Sequence, residues 1–528
     1  KGASSRTAVE VSFEVRHKDL LGRVGRLRVG EKTVETPAFV PVINPVSQVI
    51  PAREMKELFG CGIVITNAYV LYRRLRQEAL EKGVHRLIDF DGVVMTDSGG
   101  YQVLQYGDVE ASPVDIALFE EGIGSDIAVP LDKPTGLVRR GRAEKTVEAT
   151  IENVRTTMRV LGPNPRCAWV APIQGGVYTD LIERCVEEYR TMEFSLYCLG
   201  SPTPLMTSYN YKPLAKMIAT ARLSLGVGPV LHLFGAGHPM LFSLIVALGC
   251  DLFDSASYAL FALEDRYLVA DGTFRLEQLS ALPCSCRVCS STTVRELREM
   301  PAQERFRMLA VHNLSVCFEE ISLVRQAVWE GRLFELLEKR ARSHPALYEA
   351  FRHVCDDERL AEALTRQTPI SKRRGLFVYD RLSMRRPEVR RALASLESFK
   401  LEADGCDVAV LLNYRATAVR NHSRLLEKVA ELVESEDFEL LTYGTPYGLV
   451  PFSLVNVFPH SQTTFPPSLV RDLEPQLVSE IIRRLKQARF KKIVILDWGR
   501  DVYPGFVRGL AAALRQELEA EVVVLGRR

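Results

Sequence analysis

Three cysteines fall within six residues, Cys284, Cys286 and Cys289, in the pattern C-x-C-x2-C. Eleven cysteines in all, an odd number at irregular intervals, fit poorly with a secreted disulfide framework. A tight cluster in such a chain reads as a metal site in a reducing compartment. His312 is the nearest histidine downstream, with twenty-two residues between it and Cys289, and His238 stands upstream as an alternative fourth donor. Three thiolates and one imidazole complete a tetrahedral Zn2+ shell with no open position for water. The expectation is therefore one structural zinc, and the closed shell argues against a zinc hydrolase.

Two aspartates offer a different chemistry. Asp97 opens the turn Asp97-Ser98-Gly99-Gly100-Tyr101-Gln102, and Asp254 closes the run Asp251-Leu252-Phe253-Asp254. Each follows or ends a short apolar segment. Two carboxylates that converge can divide the work at a glycosidic carbon, one attacking and the other moving protons. Taken singly, each reads equally as a helix cap or a turn residue. The glycine pair next to Asp97 shifts the balance, because it lets a flat ligand approach the backbone of Ser98 and Gly99. Asp132 and Gln174, the latter in Gln174-Gly175-Gly176, add a carboxylate and an amide suited to reading a purine edge. Tyr101 and Phe234 are candidates to stack on the faces of such a base; either one alone reads as a core aromatic.

These residues need a scaffold that gathers them. From Val11 to about Asp271, short apolar runs alternate with amphipathic helical stretches. The runs are Gly62–Thr66, Val93–Thr96, Ala168–Pro172, Phe194–Leu199, Val230–Leu233 and Asp251–Asp254; helices are expected at Ala52–Leu58, Ala143–Val160 and Thr179–Met192. Repeated β-then-α units indicate a parallel sheet. The polar and glycine-rich residues follow many different strands, which favours a (β/α)8 barrel, an α/β fold with its site at the C-terminal strand ends, over a doubly wound sheet with one switch point. Thr292 to Val354 reads as helical. New strands are expected at Val408–Leu412, Phe438–Thr442, Ile493–Leu496 and Val522–Leu525. The division is a catalytic barrel over 8–365, with its zinc subdomain at about 275–345, and a smaller α/β domain over 371–528.

Composition sets limits on partners. With 47% hydrophobic residues, 25% charged and a net charge of +2, the chain has the profile of a soluble globular protein without a global basic field. Nucleic-acid binding must then use local patches. The stretch Lys372–Arg374 with Arg385, Arg386, Arg390 and Arg391 reads as solvated surface or as phosphate contacts. No apolar run reaches the roughly 18–20 residues of a membrane span, and Lys1–Arg16 has no apolar h-region. The expectation is a cytoplasmic protein without membrane contact.

Read in order, DSGGYQ (Asp97–Gln102), QYGDVE (Gln105–Glu110), LDKPT (Leu131–Thr135), IQGGVYTD (Ile173–Asp180), HLFGAGHP (His232–Pro239), DLFDSASYAL (Asp251–Leu260), PCSCRVCS (Pro283–Ser290) and LAVHNL (Leu309–Leu314) resemble the tRNA-guanine transglycosylases. The similarity runs from about Val11 to Arg391, and HLFGAGHP, SASYALFA and the long C-terminal extension point to the archaeal branch. The resemblance implies a (β/α)8 barrel with a zinc subdomain near its C-terminal end. It implies Asp254 as the nucleophile at ribose C1′ and Asp97 as general base. Asp132, Gln174 and Gly200 would bond the heterocycle, with Tyr101 and Phe234 as stacking walls. Cys284, Cys286, Cys289 and His312 would be the zinc ligands. The implied reaction replaces guanine at position 15 of the tRNA D-loop with 7-cyano-7-deazaguanine (preQ0), an early step of archaeosine synthesis; relatives are often homodimers. Archaeal members commonly end in an RNA-binding PUA domain, which the sequence does not reveal. Either a separate PUA-domain protein supplies it or the tRNA is gripped differently. The competing reading is an archaeosine-synthase-like paralogue or a non-catalytic tRNA-binding protein, which should lack the paired acids present here.

Overall fold

The computed structural model describes residues 8–100, 111–401, 406–417, 422–498, 503 and 505–526. The chain forms two units, Lys1–Thr368 and Pro369–Arg528. In the first, an antiparallel meander of β1 (Val11–Asp19), β2 (Gly22–Val29) and β3 (Lys32–Thr36) leads into eight parallel strands. These are β4 (Ala38–Ile43), β5 (Ile63–Asn67), β6 (Val93–Asp97), β7 (Ile127–Ala128), β8 (Ala168–Ile173), β9 (Leu196–Leu199), β10 (Val230–Leu233) and β11 (Leu252–Ser255). They close into a barrel in sequence order, with Leu252–Ser255 of β11 pairing back onto Ala38–Pro41 of β4. Six of the eight coincide with the apolar runs read from sequence. The other two escape that reading for physical reasons: β4 is interrupted by Pro41, and β7 is only two residues long.

Period-two alternation builds the interior. The barrel core takes Ile63 and Ile65 from β5, Val93 and Met95 from β6, Ala168 and Val170 from β8, and Leu196 and Cys198 from β9. Leu27, Val29 and Val34 of the meander join the same cluster and close the N-terminal end. One step further along each strand, the same alternation brings Asn67, Asp97 and Gly200 to the C-terminal mouth. Helices wrap the outside; Thr179–Tyr189, for example, buries Leu181, Ile182, Cys185, Val186 and Tyr189 at helical spacing against the barrel.

After β11, a short helix (Ser257–Leu263) and the hairpin β12 (Arg266–Val269) and β13 (Gly272–Arg275) precede the cysteine loop. The stretch read as helical over Thr292–Val354 is four helices, Val294–Glu299, Ala302–Glu330, Leu333–Ala341 and Pro345–Asp356. The first is set by a Thr293/Glu296 capping box, and the second stops at Gly331 in the left-handed conformation. No helix among the described residues is long and apolar enough to cross a membrane.

The second unit pairs two short strands, β14 (Leu376–Phe377) and β18 (Thr463–Thr464). Its main sheet contains β15 (Val408–Asn413), β16 (Glu439–Thr445), β17 (Gly448–Pro451), β19 (Lys492–Asp497) and β20 (Glu521–Gly526), in the order β17-β16-β15-β19-β20. All pairs are parallel except the β16–β17 hairpin. Helix His422–Val433 covers one face, and helices Pro467–Ala488 and Phe506–Glu517 cover the other. The basic stretch needs correction here. Arg386 is fully buried, with Nε 2.9 Å from Glu388 Oε2, and the buried Lys372 ammonium pairs with the same carboxylate. Burial alone would raise Glu388, but the two cations outweigh it and hold the carboxyl low. Lys372 and Arg386 therefore belong to an internal ion cluster and are neither solvated surface nor phosphate contacts.

In the first unit, a buried ion triad pins the meander to the barrel. Arg23 of β2 places Nε 2.9 Å from Asp251 Oδ1, and Arg222 of helix Tyr211–Leu225 places Nη2 3.2 Å from Asp251 Oδ2. Burial pulls the Arg222 guanidinium down to about 10 despite the aspartate. Asp251→Ala leaves two buried guanidiniums uncompensated, and urea denaturation is expected to show a loss of about 3–5 kcal/mol. Glu78→Ala, which removes an exposed pair with Lys82, should change stability by less than about 1 kcal/mol.

Candidate active site

A cavity of about 330 Å3 opens at the C-terminal end of the barrel, lined by Asn67, Asp97, Asp132, Gln174, Gly200, Phe234 and Asp254 among others. The two aspartates singled out from sequence thus face one space. Burial raises the Asp97 carboxyl most, and the negative charges of Asp132 and Asp254 add to it, taking it from 3.8 to about 7. Backbone N–H groups of Gly99 and Ser98 oppose this, and the Asn67 amide donates to Asp97 Oδ2 at 3.3 Å. Burial also lifts Asp132, to about 6, against the bond it accepts from Gln174. Asp254 accepts at Oδ1 from His232 Nε2 at 2.7 Å and from the Gly235 N–H at 3.3 Å.

The Gln174 amide has only one orientation compatible with its partners. Its Oε1 accepts from the Thr135 N–H at 3.0 Å and the Ser201 hydroxyl at 2.8 Å, while Nε2 donates to Asp132 Oδ2 at 2.6 Å. Gln174 therefore presents donor hydrogens, and Asp132 presents a carboxylate beside them. Two glycines make room for this pair. A Cβ at Gly200 would lie 2.1 Å from Gln174 Nε2, and one at Gly100 would lie 2.0 Å from Asp132 Oδ1.

Among the remaining sequence-read residues, Phe234 lines the cavity. Ser98 is fully buried, and neither it nor Gly99 is among the described lining residues; the backbone N–H groups of both bond Asp97. Tyr101, Gln102 and the QYGDVE motif lie outside the described residues. Sequence reasoning missed Asn67, His232 and Ser201. Asn67 and His232 carried a usable signal, since each follows an inward-facing core residue by two positions, Ile65 and Val230.

The thiol cluster sits on a separate part of the first unit. One donor atom from each of Cys284, Cys286, Cys289 and His312 lies within 4.8 Å of all the others. His312 Nδ1 is 3.5 Å from Cys286 Sγ and 3.4 Å from Cys289 Sγ. Its Nε2 donates to the Leu268 carbonyl at 2.9 Å, which fixes the tautomer and turns the Nδ1 lone pair toward the sulfurs. The Tyr267 ring stacks on the imidazole at 3.6 Å, with its hydroxyl 3.1 Å from Cys289 Sγ. Neighbouring Asn313 binds Leu268, Tyr258 and Arg266 backbone groups, tying the hairpin to the long helix. His238 is engaged elsewhere, capping Met240 and facing Thr273. The four donors, their spacing and the fixed tautomer suit a metal ion with N/S ligands.

The family model described as Queuine tRNA-ribosyltransferase matches residues 19–346, well over half of the chain and both of these sites. The chain belongs to that family. Among curated proteins, it is 44% identical over 395 residues to the tRNA-guanine(15) transglycosylase of Thermococcus onnurineus, covering 74% of this chain and 67% of that protein. It is 38% identical over 488 residues to the protein of the same name from Methanocaldococcus jannaschii, covering 90% and 72%. With that of Sulfolobus acidocaldarius the identity is 36% over 500 residues, covering 94% and 97%.

Metal content tests the thiol cluster. Purified protein is expected to carry one metal ion per chain by plasma mass spectrometry, and Cys286→Ser should lose it along with thermal stability. A serine variant with undiminished metal would exclude the cluster as the ligand set.

Proposed function

We propose that this chain exchanges guanine in tRNA for a 7-deazaguanine base through a covalent intermediate on Asp254. The observation that carries the reading is the shared cavity, in which Asp97 and Asp254 stand beside the fixed Asp132–Gln174 pair. An amide donor next to a carboxylate acceptor suits a base with a carbonyl next to N–H groups. That is the pattern of guanine and 7-deazaguanines, and the reverse of adenine. Phe234 offers an apolar face for the ring. A nucleotide must leave its stack to enter such a cavity, so base flipping is part of the reaction.

In the first half, an Asp254 oxygen forms a bond to ribose C1′ as the C1′–N9 bond breaks, and Asp97 hands a proton to the departing guanine. In the second half, Asp97 takes the N9 proton of the incoming base, which displaces the carboxylate. One group must therefore be acid and then base, and a carboxyl near 7 suits both tasks. The names of the archaeal relatives support guanine 15 as the target, and preQ0 as the incoming base follows from the archaeal resemblance. Residues 8–365 would be the catalytic part and 371–528 an accessory domain. Arg139, Arg142 and Lys145 are exposed, have no ion-pair partner among the described residues, and follow Asp132 in the chain. They supply local positive charge for tRNA phosphates. Cys284, Cys286, Cys289 and His312 would hold one zinc ion, which in a closed shell supplies folding energy and no chemistry. A homodimer and a cytoplasmic location complete the proposal.

Incubation with tRNA carrying labelled guanine, plus preQ0, should release the label. No release would favour the non-catalytic tRNA-binding alternative. Asp254→Asn is expected to bind tRNA normally and to form no adduct on a denaturing gel; a surviving adduct would remove Asp254 from its role.

The raised Asp97 carboxyl gives a second test. Between about pH 4 and 7 it keeps a proton that the unfolded chain has lost. On its account, stability is greatest below pH 4 and declines as pH rises through about 7. Asp97→Asn should therefore melt above the wild type at pH 8, by scanning fluorimetry, with little difference at pH 4. Wild-type exchange should peak near pH 7, and the asparagine variant should lose at least 100-fold, on the order of a general acid–base contribution.

A further inference from the structure

The hydrogen bonds around Asp254 distinguish its two oxygens. Oδ1 accepts from both His232 Nε2 and the Gly235 N–H. No hydrogen bond from the described residues reaches Oδ2. His232 itself is an unusual occupant of its position: it lies on β10, 2% exposed, on the inward side that Val230 and Phe234 flank. A histidine so deeply placed requires a reason beyond packing.

An ionised carboxylate only accepts, so Nε2 carries the hydrogen and Nδ1 carries the lone pair. That Nδ1 is buried with no hydrogen-bond partner among the described residues. The ring stands edge-on to Phe234 with centroids 5.0 Å apart. Among the described residues only Nε2 of the ring makes a hydrogen bond, so the imidazole acts on Asp254 as a single fixed donor.

We infer that His232 is a positioning residue that clamps Asp254 Oδ1, so that Oδ2 is the atom that attacks ribose C1′. The inference rests on the reading of Asp254 as nucleophile. In the first half-reaction, Oδ2 forms the bond to C1′ as the pair in C1′–N9 leaves with guanine. In the second, the Oδ2–C1′ pair returns to the carboxylate, and the charge reappears next to the His232 and Gly235 donors. The same two hydrogen bonds that hold the attacking group steady therefore stabilise it as a leaving group. His232 touches neither ribose nor base; it acts through Asp254.

The test compares His232→Leu, which removes the donor at similar volume, with His232→Gln, whose amide can still donate. Single-turnover adduct formation and its discharge by the incoming base are followed on denaturing gels, and the adduct is mapped to its peptide. With His232→Leu, both steps should slow about 10- to 100-fold, the worth of one hydrogen bond to a charged group, with KM for tRNA within about twofold of wild type. His232→Gln should recover most of the rate. Should the leucine variant not fold, His232→Asn replaces it, because its shorter amide cannot span to Asp254. An adduct on Asp254 formed at the wild-type rate by the donor-less variant overturns the role of His232 alone, as does an equal loss in the glutamine and donor-less variants. An adduct mapped to a different side chain overturns the nucleophile assignment as well.

Discussion

Three carboxylates, Asp97, Asp132 and Asp254, line one cavity at the barrel mouth, and keeping that much acid in a partly desolvated place is the constraint on which the site depends. Burial first, and then the charges of Asp132 and Asp254, raise the Asp97 carboxyl. Each is handled by a different set of donors. Asp97 has the Asn67 amide and two backbone N–H groups and still stays high; Asp132 has Gln174; Asp254 has His232 and Gly235. Chemically identical side chains thus stand in different surroundings, the condition under which one fold can run acid and base steps at neutral pH.

Holding that charge in place requires a rigid frame. Apolar side chains fill the barrel beneath the cavity, and the meander seals its lower end. The Arg23–Asp251–Arg222 triad lies three residues before Asp254 on the chain, so the strand that carries this carboxylate is anchored at its entry. Beyond β11, the His312–Asn313 pair ties the hairpin and the helix Ser257–Leu263 to the long helix Ala302–Glu330. The thiol cluster and its histidine therefore lie on the segment that leaves the strand carrying Asp254.

The second unit shows how charge can mislead a linear reading. Lys372 and Arg386 stand in a basic run that suggests a surface, yet both surround the buried Glu388. The carboxylate is sixteen residues from Lys372 and two from Arg386, and only the packing of helix Pro387–Ser398 against β14 and its neighbours encloses all three. Residue type along the chain does not reveal which charges are desolvated, because desolvation depends on what is packed above them.

By itself the sequence marked the cysteine cluster, candidate aspartates and most of the scaffold's rhythm. The spacing of Cys284, Cys286 and Cys289, the aspartates at the ends of apolar runs, and six of the eight barrel strands are local signals. Local periodicity and composition suffice to carry them. Tertiary structure decided the rest: that β11 closes onto β4, that the two-residue β7 counts as a strand, and that Ser98 and Gly99 serve Asp97 through the backbone. It chose His312 over His238 and turned the Gln174 amide by way of Thr135 and Ser201. It also put His232 beside Asp254, twenty-two residues away along the chain. Each of these is a contact between segments that only barrel closure brings together, and the direction of a hydrogen bond depends on partners that no local pattern contains.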